Sequence, residues 1–455
     1  MSVTSGLTQS IVTVFLNTWW IFAPFILFPI FESTWIFWRQ EQFKHDLQFV
    51  LLELRIPREI KKNPKAMEQV MMAIHALRNA PGDFKEKWID GEVTRWYSLE
   101  MVSIGGEIHF YIRTYDKQKD LVEAAFFAYY PDIEIVEVED YINLLPSTVG
   151  EMFKSGYDLW GTELLLNREE AYPIKSYTDF ESMEEDKQYD PISVFLEVLG
   201  KVKREEIVGI QLVLSPAAPD WNHEFRGLIE ELRSKKEGGG HGGAKKSAGL
   251  GMEFPHILPV FPVKGHGSEE KPENAFVRTL SRTPGETDVL KAIEENLSMP
   301  AFKTIIRFIY VSPKELYYDT FARRGIIGAF NQYGSLDLNS FKQNQAVSTR
   351  TRVWNWPHIF PAARNIRRKQ RLLMSYRHRE VPPETFMGRI LLSKLLNWEH
   401  TEEFFMSVRS LATLFHPPTA IVLTAPHIKR MESRKTGPPA GLAIYGDEEE
   451  IDKFK

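Results

Sequence analysis

The stretch RWYSLEMVSIGGEIHFYIRT, residues 95–114, decides the fold that this sequence predicts. Residues 95–103 are expected to form a strand. The pair Gly105 and Gly106 favours a tight hairpin turn, because glycine readily adopts the positive φ angles that such a turn requires. From residue 107 to residue 114 apolar and polar side chains alternate, which is typical of a half-buried strand. The stretch therefore predicts a β-hairpin.

A strand and a helix flank this hairpin on each side. Before it, residues 49–56 suit a strand, and residues 64–79 place apolar side chains at helical spacing. After it, a helix over 117–130 leads to a strand over 133–139. The resulting order, βαββαβ, is that of the ferredoxin-like split unit.

The same order of elements recurs downstream with one interruption. The second set of predicted elements is strand 162–166, helix 190–202, strand 207–215, strand 302–311, helix 313–330 and strand 336–342. The interruption contains two amphipathic helices, near 223–233 and 287–297, on either side of a glycine-rich stretch, GGGHGGAKKSAGLG, at 238–251. Because glycine buries no side chain and loses much backbone entropy on folding, this stretch is expected to be mobile.

Residues 11–30, IVTVFLNTWWIFAPFILFPI, contain no charged side chain. A helix of this length would span the ~30 Å hydrocarbon layer of a bilayer, so the stretch predicts a single-pass transmembrane helix. A signal peptide is the less favoured alternative, since residues 1–10 carry no basic side chain and no small-residue cleavage site follows. Basic residues gather on the C-terminal side, at Arg39, Lys44, Arg55, Arg58, Lys61 and Lys62. The positive-inside rule then predicts a cell-membrane protein with its N-terminus outside and most of the chain in the cytoplasm.

The sequence thus predicts an α+β fold, in which an N-terminal transmembrane helix precedes two ferredoxin-like units and a mixed basic segment. The expected domains are an anchor with a juxtamembrane helix at 1–44, unit 1 at 45–146, unit 2 at 156–345, and a final segment at 346–455. Unit 2 includes a flexible glycine-rich insertion around 235–285, and the final segment includes a C-terminal helix and an acidic tail.

Composition and motifs argue against an enzyme. The chain has no cysteine, which excludes disulfides, thiol catalysis and cysteine-ligated zinc, and its net charge of −5 selects no class of partner. The phosphate-binding pattern G-x-x-x-x-G-K-[ST], the nucleophile pattern G-x-S-x-G and the zinc pattern H-E-x-x-H do not occur. The clustered histidines His241, His256 and His266 lie in irregular sequence, a poor setting for a metal site. We therefore predict no catalytic residue, metal or cofactor.

One stretch does suggest a binding surface. Residues 349–379, TRTRVWNWPHIFPAARNIRRKQRLLMSYRHR, mix cationic and aromatic side chains without a single carboxylate. Because guanidinium groups bind phosphate and aromatic rings stack on bases, nucleic acid is one candidate ligand. An acidic protein partner, anionic lipid headgroups, and an ordinary surface whose charges pair with distant acids remain open. The candidate residues are Arg350, Arg352, Trp354, Trp356, Arg364, Arg367, Arg368, Lys369, Arg371, Arg377 and Arg379.

Four segments resemble a known family. They are LLELRIPREIKKNPKAMEQV (51–70), EIHFYIRT (107–114), VEAAFFAYYPDIEIVEVEDY (122–141) and SVRSLATLFHPPTAIVLTAPHIKRMESRKTGPPAGL (407–442). They are similar to the membrane-proximal region of TraG-type type IV secretion or conjugative DNA-transfer ATPases of candidate-phyla bacteria. That region is itself of unknown function and precedes a nucleotide-binding motor, which is not expected here.

The resemblance implies a non-enzymatic, membrane-anchored platform that seats or recruits a separate motor ATPase in a type IV secretion-like or conjugative system. The alternative is a membrane-tethered nucleic-acid-binding protein that acts in DNA transfer or uptake. A homo-oligomer is also implied, because ring motors are commonly hexameric.

Overall fold

The computed structural model describes residues 2–57, 63–181, 189–234, 283–317, 319–349, 360–392 and 401–419. Within these ranges the chain forms one antiparallel sheet of nine strands. The strands are β1 (Phe49–Arg55), β2 (Tyr97–Ile104), β3 (Glu107–Tyr115), β4 (Glu134–Val138), β5 (Tyr157–Leu166), β6 (Ile207–Pro216), β7 (Ala301–Pro313), β8 (Phe341–Gln343) and β9 (Phe404–Ser407).

The α-helices of the described ranges fall before, between and after these strands. They are α1 (Ser2–Asp46), α2 (Lys65–Ala76), α3 (Lys119–Tyr129), α4 (Val149–Lys154), α5 (Ile192–Gly200), α6 (Arg226–Ser234), α7 (Pro284–Leu297), α8 (Asp319–Asn331), α9 (Pro361–His378), α10 (Phe386–Leu392) and α11 (Val408–Leu414). A π-helical turn at Glu86–Asp90 lies between α2 and β2.

The strand order across the sheet is β4-β1-β3-β2-β6-β7-β5-β8, with β9 paired to β7. Strands β1 to β4 belong to the first βαββαβ unit, and strands β5 to β8 belong to the second. In each unit the first strand lies beside the third, with the second and fourth strands at the outside. The units join where β2 pairs with β6, from Tyr97 opposite Leu214 to Ile104 opposite Ile207. The two βαββαβ units therefore share one continuous sheet.

The hairpin between β2 and β3 turns at Gly105 and Gly106, whose φ angles are 61° and 94°. A Cβ atom at Gly105 would lie 2.8 Å from the carbonyl oxygen of Arg204. Glycine is thus required here both by the backbone angle and by the close approach of a neighbouring chain segment.

Five helices, α2, α3, α5, α8 and α11, cover one face of the sheet, which we term the first face. Their apolar side chains form a single core with those of the strands; Met67, Phe126, Phe195, Phe330 and Leu411 are all fully buried. Burying one such side chain contributes about 1.5–3 kcal/mol, so this core is the main source of stability.

The opposite face, the second face, is covered by α4, α9 and the end of α1. Helices α4 and α9 bring Met152 and Leu372 against Ile309 of the sheet. Beside them, Phe43 from α1 packs against Trp96 and Val213. Both faces are therefore covered by helices, which places α9 against the middle of the sheet.

Helix α1 corrects the predicted membrane anchor. Among the residues that the structure describes, no helix is both long enough and apolar enough to span a bilayer. The prediction took the apolar, uncharged residues 11–30 as a separate segment, whereas this stretch is one part of a 45-residue helix. The second half of that helix packs on the protein, with Ile36 and Gln40 buried. The transmembrane helix in the predicted fold class and the single-pass membrane localisation are therefore wrong.

The third strand of unit 2 extends beyond its expected end. Ser312 and Pro313 suggest a helix start, yet β7 continues through both residues and α8 begins only at Asp319. The reason is pairing with β5, in which Ser312 lies opposite Asp158 and Pro313 opposite Tyr157. Long-range strand pairing here overrides a local helix-start signal. The glycine-rich stretch 238–251 lies outside the described residues.

Candidate functional site

Helix α9 carries most of the predicted binding residues and lies across the second face of the sheet. Its residues Leu372, Leu373 and Tyr376 are buried in the core of that face. Arg379 follows the helix directly. Four of the predicted residues, Arg350, Arg352, Trp354 and Trp356, lie outside the described part of the chain.

Two glycines of the sheet allow α9 to approach closely. Gly161 of β5 and Gly209 of β6 both lie opposite Ile309 of β7, so the three residues form a row on the second face. A Cβ atom at Gly161 would lie 2.5 Å from Cδ2 of Leu372, and one at Gly209 would overlap the hydroxyl oxygen of Tyr376. Side chains one helical turn apart on α9 thus occupy the space that the glycines leave.

We expect Gly209→Ala to lower the free energy of unfolding by about 1–3 kcal/mol, the usual cost of overpacking. In a Tyr376→Phe background the overlapping hydroxyl oxygen is absent, so the added methyl group should cost less. A double-mutant cycle measured by chemical denaturation would detect this coupling. Gly227→Ala is the control, because a Cβ atom there meets nothing within 4 Å. Equal costs of Gly209→Ala in both backgrounds would contradict the prediction.

A row of polar side chains lies next to the glycine row on the same face. Each residue is directly opposite the next one on the neighbouring strand: Glu53, Tyr111, Glu100, Gln211, Arg307 and Glu163. We term these residues the polar row. The last four of these residues, from Glu100 to Glu163, are at most 1 % exposed. Polar groups buried this deeply require partners, and α9 supplies several of them.

Arg379 pairs with two carboxylates at one end of α9. Its Nε and Nη2 atoms donate to Glu100 at 2.8 and 3.1 Å, and its Nη1 and Nη2 atoms donate to Asp140 at 2.5 and 2.9 Å. Tyr141 donates a further hydrogen bond to Glu100. The guanidinium group therefore forms a forked contact with each carboxylate, the strong form of this interaction.

The pKa shifts in this cluster follow from burial and pairing. Burial by itself raises the pKa of Glu100, but the charge of Arg379 and the hydrogen bonds from Arg379, Ser98 and Tyr141 outweigh it and hold that pKa below its usual range. For Arg379, burial by itself lowers the pKa, but the charge of Glu100 outweighs it, so the pKa of Arg379 lies above its usual value. Both groups are thus charged when buried, and each depends on the other.

The polar row also satisfies the carbonyl groups at the C-terminal end of α9. Arg307 pairs with Glu163 at 2.8 Å and donates from Nη1 to the carbonyl oxygen of Ser375 at 3.2 Å. Gln211 donates from Nε2 to the carbonyl oxygen of Tyr376 at 3.2 Å. These two carbonyl groups also accept the backbone N–H groups of Glu380 and Arg379, so the bonds from the polar row are additional contacts that fix the end of α9 to the sheet.

The other basic residues of α9 mostly have partners within the protein. Lys369 pairs with Asp158 at 2.5 Å. Arg368 donates to the carbonyl oxygens of Gln345 and Ser348, and Arg377 to those of Ile142, Leu145 and Pro146. Arg364 and Arg371 also take part in interactions within the chain, while Arg367 is exposed. For Arg368, Lys369, Arg377 and Arg379, folding therefore supplies the partners that the local sequence lacks.

A surface that the sequence analysis did not identify lies at the middle of α1. Exposed Phe31, Trp35 and Trp38 of α1 lie beside exposed Phe84 and Ile89 from the segment around the π-helical turn. We term these five residues the aromatic surface. The spacing of Trp35 and Trp38 indicates a shared helix face, but only folding brings the segment of Phe84 next to it.

The aromatic surface is held in place by specific contacts. The indole N–H of Trp35 donates to the carbonyl oxygen of Trp88 at 2.8 Å, and Nε of Arg39 donates to that of Ile89. Gly91, with φ of 69°, lies so close to the backbone of Arg39 that a Cβ atom would overlap it. The backbones of the two segments are thus in close contact, which fixes the position of the exposed rings.

No cluster of three or more potential metal ligands occurs among the residues that the structure describes. One carboxyl, Glu170, has a strongly shifted pKa, which burial raises to about 7. It accepts a hydrogen bond from the backbone N–H of Phe405 at 2.9 Å. This contact joins β9 to the chain after β5, so a structural role accounts for Glu170.

The fold defines a mixed α+β protein built on two fused antiparallel βαββαβ units. Residues 38–429 match the family described as a domain of unknown function, DUF8128, and since the match covers most of the chain, the chain belongs to that family. No curated protein matches. Neither the fold nor the family supports the predicted assignment to secretion or conjugation.

Proposed function

We propose that this chain is a non-enzymatic platform that seats a separate motor ATPase through the aromatic surface. The observation that carries this proposal is the group of large exposed rings, among which Phe84 and Trp38 are 70 % and 48 % exposed. Contiguous exposed apolar groups mark interaction sites in proteins, and tryptophan is enriched among the residues that dominate binding energy.

The geometry of the aromatic surface favours binding without rearrangement. The ring centroids of Trp35 and Trp38 lie 5.4 Å apart, and the rings of Phe84 and Trp88 stack with their centroids 5.3 Å apart. The hydrogen bonds of Trp35 and Arg39 already hold these segments together. A partner would therefore lose little free energy in ordering the surface, which is how preorganised sites gain affinity.

The class of partner comes from the resemblance of residues 51–70, 107–114, 122–141 and 407–442 to the region before the motor in TraG-type ATPases. We propose that the family is related to that region. If so, a motor ATPase carried on a separate polypeptide is the matching partner. A second argument for a protein partner is that Lys369 is paired with Asp158 and Arg379 with Glu100. These ion pairs leave less of the positive charge of this region for nucleic acid.

The test is recovery of the partner by crosslinked pull-down from the source cells, with mass spectrometry and then direct binding of the purified proteins. Trp38→Glu and Phe84→Glu should each weaken binding of the ATPase by about 30-fold, and the double variant by up to about 1,000-fold, since each central aromatic residue is worth about 2 kcal/mol. Leu336→Glu is the matched control, because Leu336 is 91 % exposed and outside the aromatic surface.

Equal recovery of the ATPase by the double variant and the control would refute the aromatic surface as the docking site. If no ATPase is enriched, the choice of partner class is wrong. Binding of single-stranded DNA at near-physiological salt that is lost in Arg367→Glu would favour the alternative, a nucleic-acid-binding protein.

A further inference from the structure

We propose that this chain forms a symmetric dimer, in which two copies of β4 pair edge to edge and the α3 helices pack beside them. Strand β4 lies at one end of the sheet, and among the described strands it pairs with β1 alone. A strand at the edge of a sheet presents unpaired backbone N–H and C=O groups, which a further strand can satisfy. This surface consists of residues other than those of the aromatic surface, and the proposal does not depend on the motor ATPase.

Helix α3 runs along β4 and is fixed to it at both ends. Lys119, at the start of the helix, pairs with Glu137 of β4 at 2.5 Å. The short segment 130–133 joins the end of the helix to the start of the strand. The helix and the strand are therefore antiparallel neighbours, and a molecule that binds the edge of β4 would also meet α3.

The outer face of α3 is apolar. Leu121 is 54 % exposed and Phe127 is 42 % exposed. Ala124 and Ala128 are exposed as well, and they lie three and seven residues after Leu121, on the same side of the helix. A surface helix normally directs its apolar residues to the core and its polar residues to solvent. This group of neighbouring exposed apolar side chains therefore indicates a contact surface.

The sequence of β4 fits pairing with a copy of itself. In an antiparallel pair, opposite side chains lie on the same face of the sheet, so a two-fold axis must pass through a residue of the strand. With the axis at Val136, all five residues of β4 are paired: Glu134 lies opposite Val138, and Ile135 opposite Glu137. No two carboxylates then face each other, whereas an axis at Glu134 or Glu137 would place like charges directly opposite.

The carboxylates of β4 are already paired within the chain. Glu134 lies 3.7 Å from Nη1 of Arg55 on β1, and Glu137 is held by Lys119. Charged side chains protect edge strands from further pairing, and this protection is weaker when a neighbouring cation neutralises them. The remaining residues of the strand include Val136 and Val138, which are half-buried and suit the interior of a sheet.

Pairing through β4 would also cover the exposed face of α3. Because the two-fold axis is perpendicular to the sheet, both copies of α3 lie on the first face of the extended sheet, side by side and antiparallel. Each copy contributes one short strand and one helix face, which is the small end of specific interfaces, about 1,200 Å² in total. We therefore expect a dissociation constant in the micromolar range, about 1–10 μM.

The first experiment measures self-association of the full chain by analytical ultracentrifugation at concentrations around this value. Leu121→Glu and Phe127→Glu should each weaken dimerisation at least tenfold, because each places a charge in the interface. Leu336→Glu is the matched control, since Leu336 is 91 % exposed and lies outside α3 and β4, and it should dimerise like the wild type. The replaced side chains are exposed, so all three variants should keep the melting temperature of the dissociated protein.

The second experiment tests the position of the two-fold axis. The chain has no cysteine, so Val136→Cys introduces a single thiol. Directly opposite residues of an antiparallel pair have Cα atoms about 4.5–5.5 Å apart, a distance that a disulfide can span. Mild oxidation should therefore link Val136→Cys into a covalent dimer, while Leu336→Cys should remain uncrosslinked.

Three results would overturn the proposal. The first is a chain that stays monomeric well above the expected dissociation constant, which would leave the edge of β4 to a strand of another protein. The second is a dimer that both α3 variants leave unchanged, or that Trp38→Glu abolishes while Leu121→Glu does not, which would assign self-association to another surface. The third is equal crosslinking of Val136→Cys and Leu336→Cys, which would show random collision rather than a defined pair of strands.

Discussion

Replacement of Arg379 by glutamine is expected to lower the free energy of unfolding by about 3–5 kcal/mol, as when one member of a buried ion pair is removed. Arg379 is 1 % exposed and its partner Glu100 is fully buried. Without the guanidinium group, the Glu100 carboxylate would remain in the core without the charge that pairs with it. Because Arg379 has φ of 49°, glutamine meets the same backbone strain, so the difference reports mainly the lost pairing. Chemical denaturation at neutral pH measures the effect.

Two further variants separate pairing from general disruption. Arg367→Gln removes an exposed cation from the same helix and should change stability by no more than about 0.5 kcal/mol. Adding Glu100→Gln to Arg379→Gln removes the stranded charge and should restore part of the loss. If Arg379→Gln behaves like Arg367→Gln, the buried cluster does not stabilise the protein as described.

The β-hairpin could be predicted from the sequence because the residues that indicate it are close together in the chain. Alternation over residues 107–114 and the pair Gly105–Gly106 lie within a few residues of each other, and the turn forms there. The polar row is different. Glu53, Gln211 and Glu163 are far apart in sequence, and they share a face only once six strands are paired in register. No sequence window contains that information.

The basic stretch shows the same limit for the candidate site. Residues 349–379 contain no carboxylate, which suggested unbalanced charge. The partners of Arg379 and Lys369 are Glu100, Asp140 and Asp158, which are more than 200 residues away in the sequence. Local composition measures only nearby charge, whereas burial and pairing depend on the tertiary fold. The apolar, uncharged residues 11–30 gave a wrong prediction for a related reason, since such a stretch read by itself does not distinguish a membrane span from part of a long helix.

A second large effect is expected at His416, which is fully buried after α11. Its Nε2 lies 2.9 Å from Oδ1 of Asp190, and its Nδ1 lies 2.9 Å from the carbonyl oxygen of Ala412. The ring is thus held between the Asp190 carboxylate on one side and the end of α11 on the other. Asp190 also accepts from the hydroxyl of Thr419 and from the backbone N–H of Ile192 at the start of α5. The pair therefore ties the end of the described chain to unit 2.

His416→Leu should lower the free energy of unfolding by about 3–5 kcal/mol, because it leaves the buried Asp190 carboxylate without its partner. His45→Leu is the control, since the side chain of His45 is 91 % exposed. Comparable losses in the two variants would show that the buried pair contributes nothing specific.

The pH dependence gives an independent test of the same pair. Burial by itself raises the pKa of Asp190, but the charge and hydrogen bond of His416 and the bonds from Thr419 outweigh it and lower that pKa from 3.8 to about 2. A carboxyl whose pKa is lower in the folded protein stabilises it above the unfolded pKa, and this contribution disappears as pH falls through the folded value. The stability difference between the wild type and Asp190→Asn, followed by denaturation at several pH values, should therefore shrink by about 2 kcal/mol as the pH falls from about 5 to about 2. A difference that stays constant down to pH 2 would mean that Asp190 does not titrate as part of this pair.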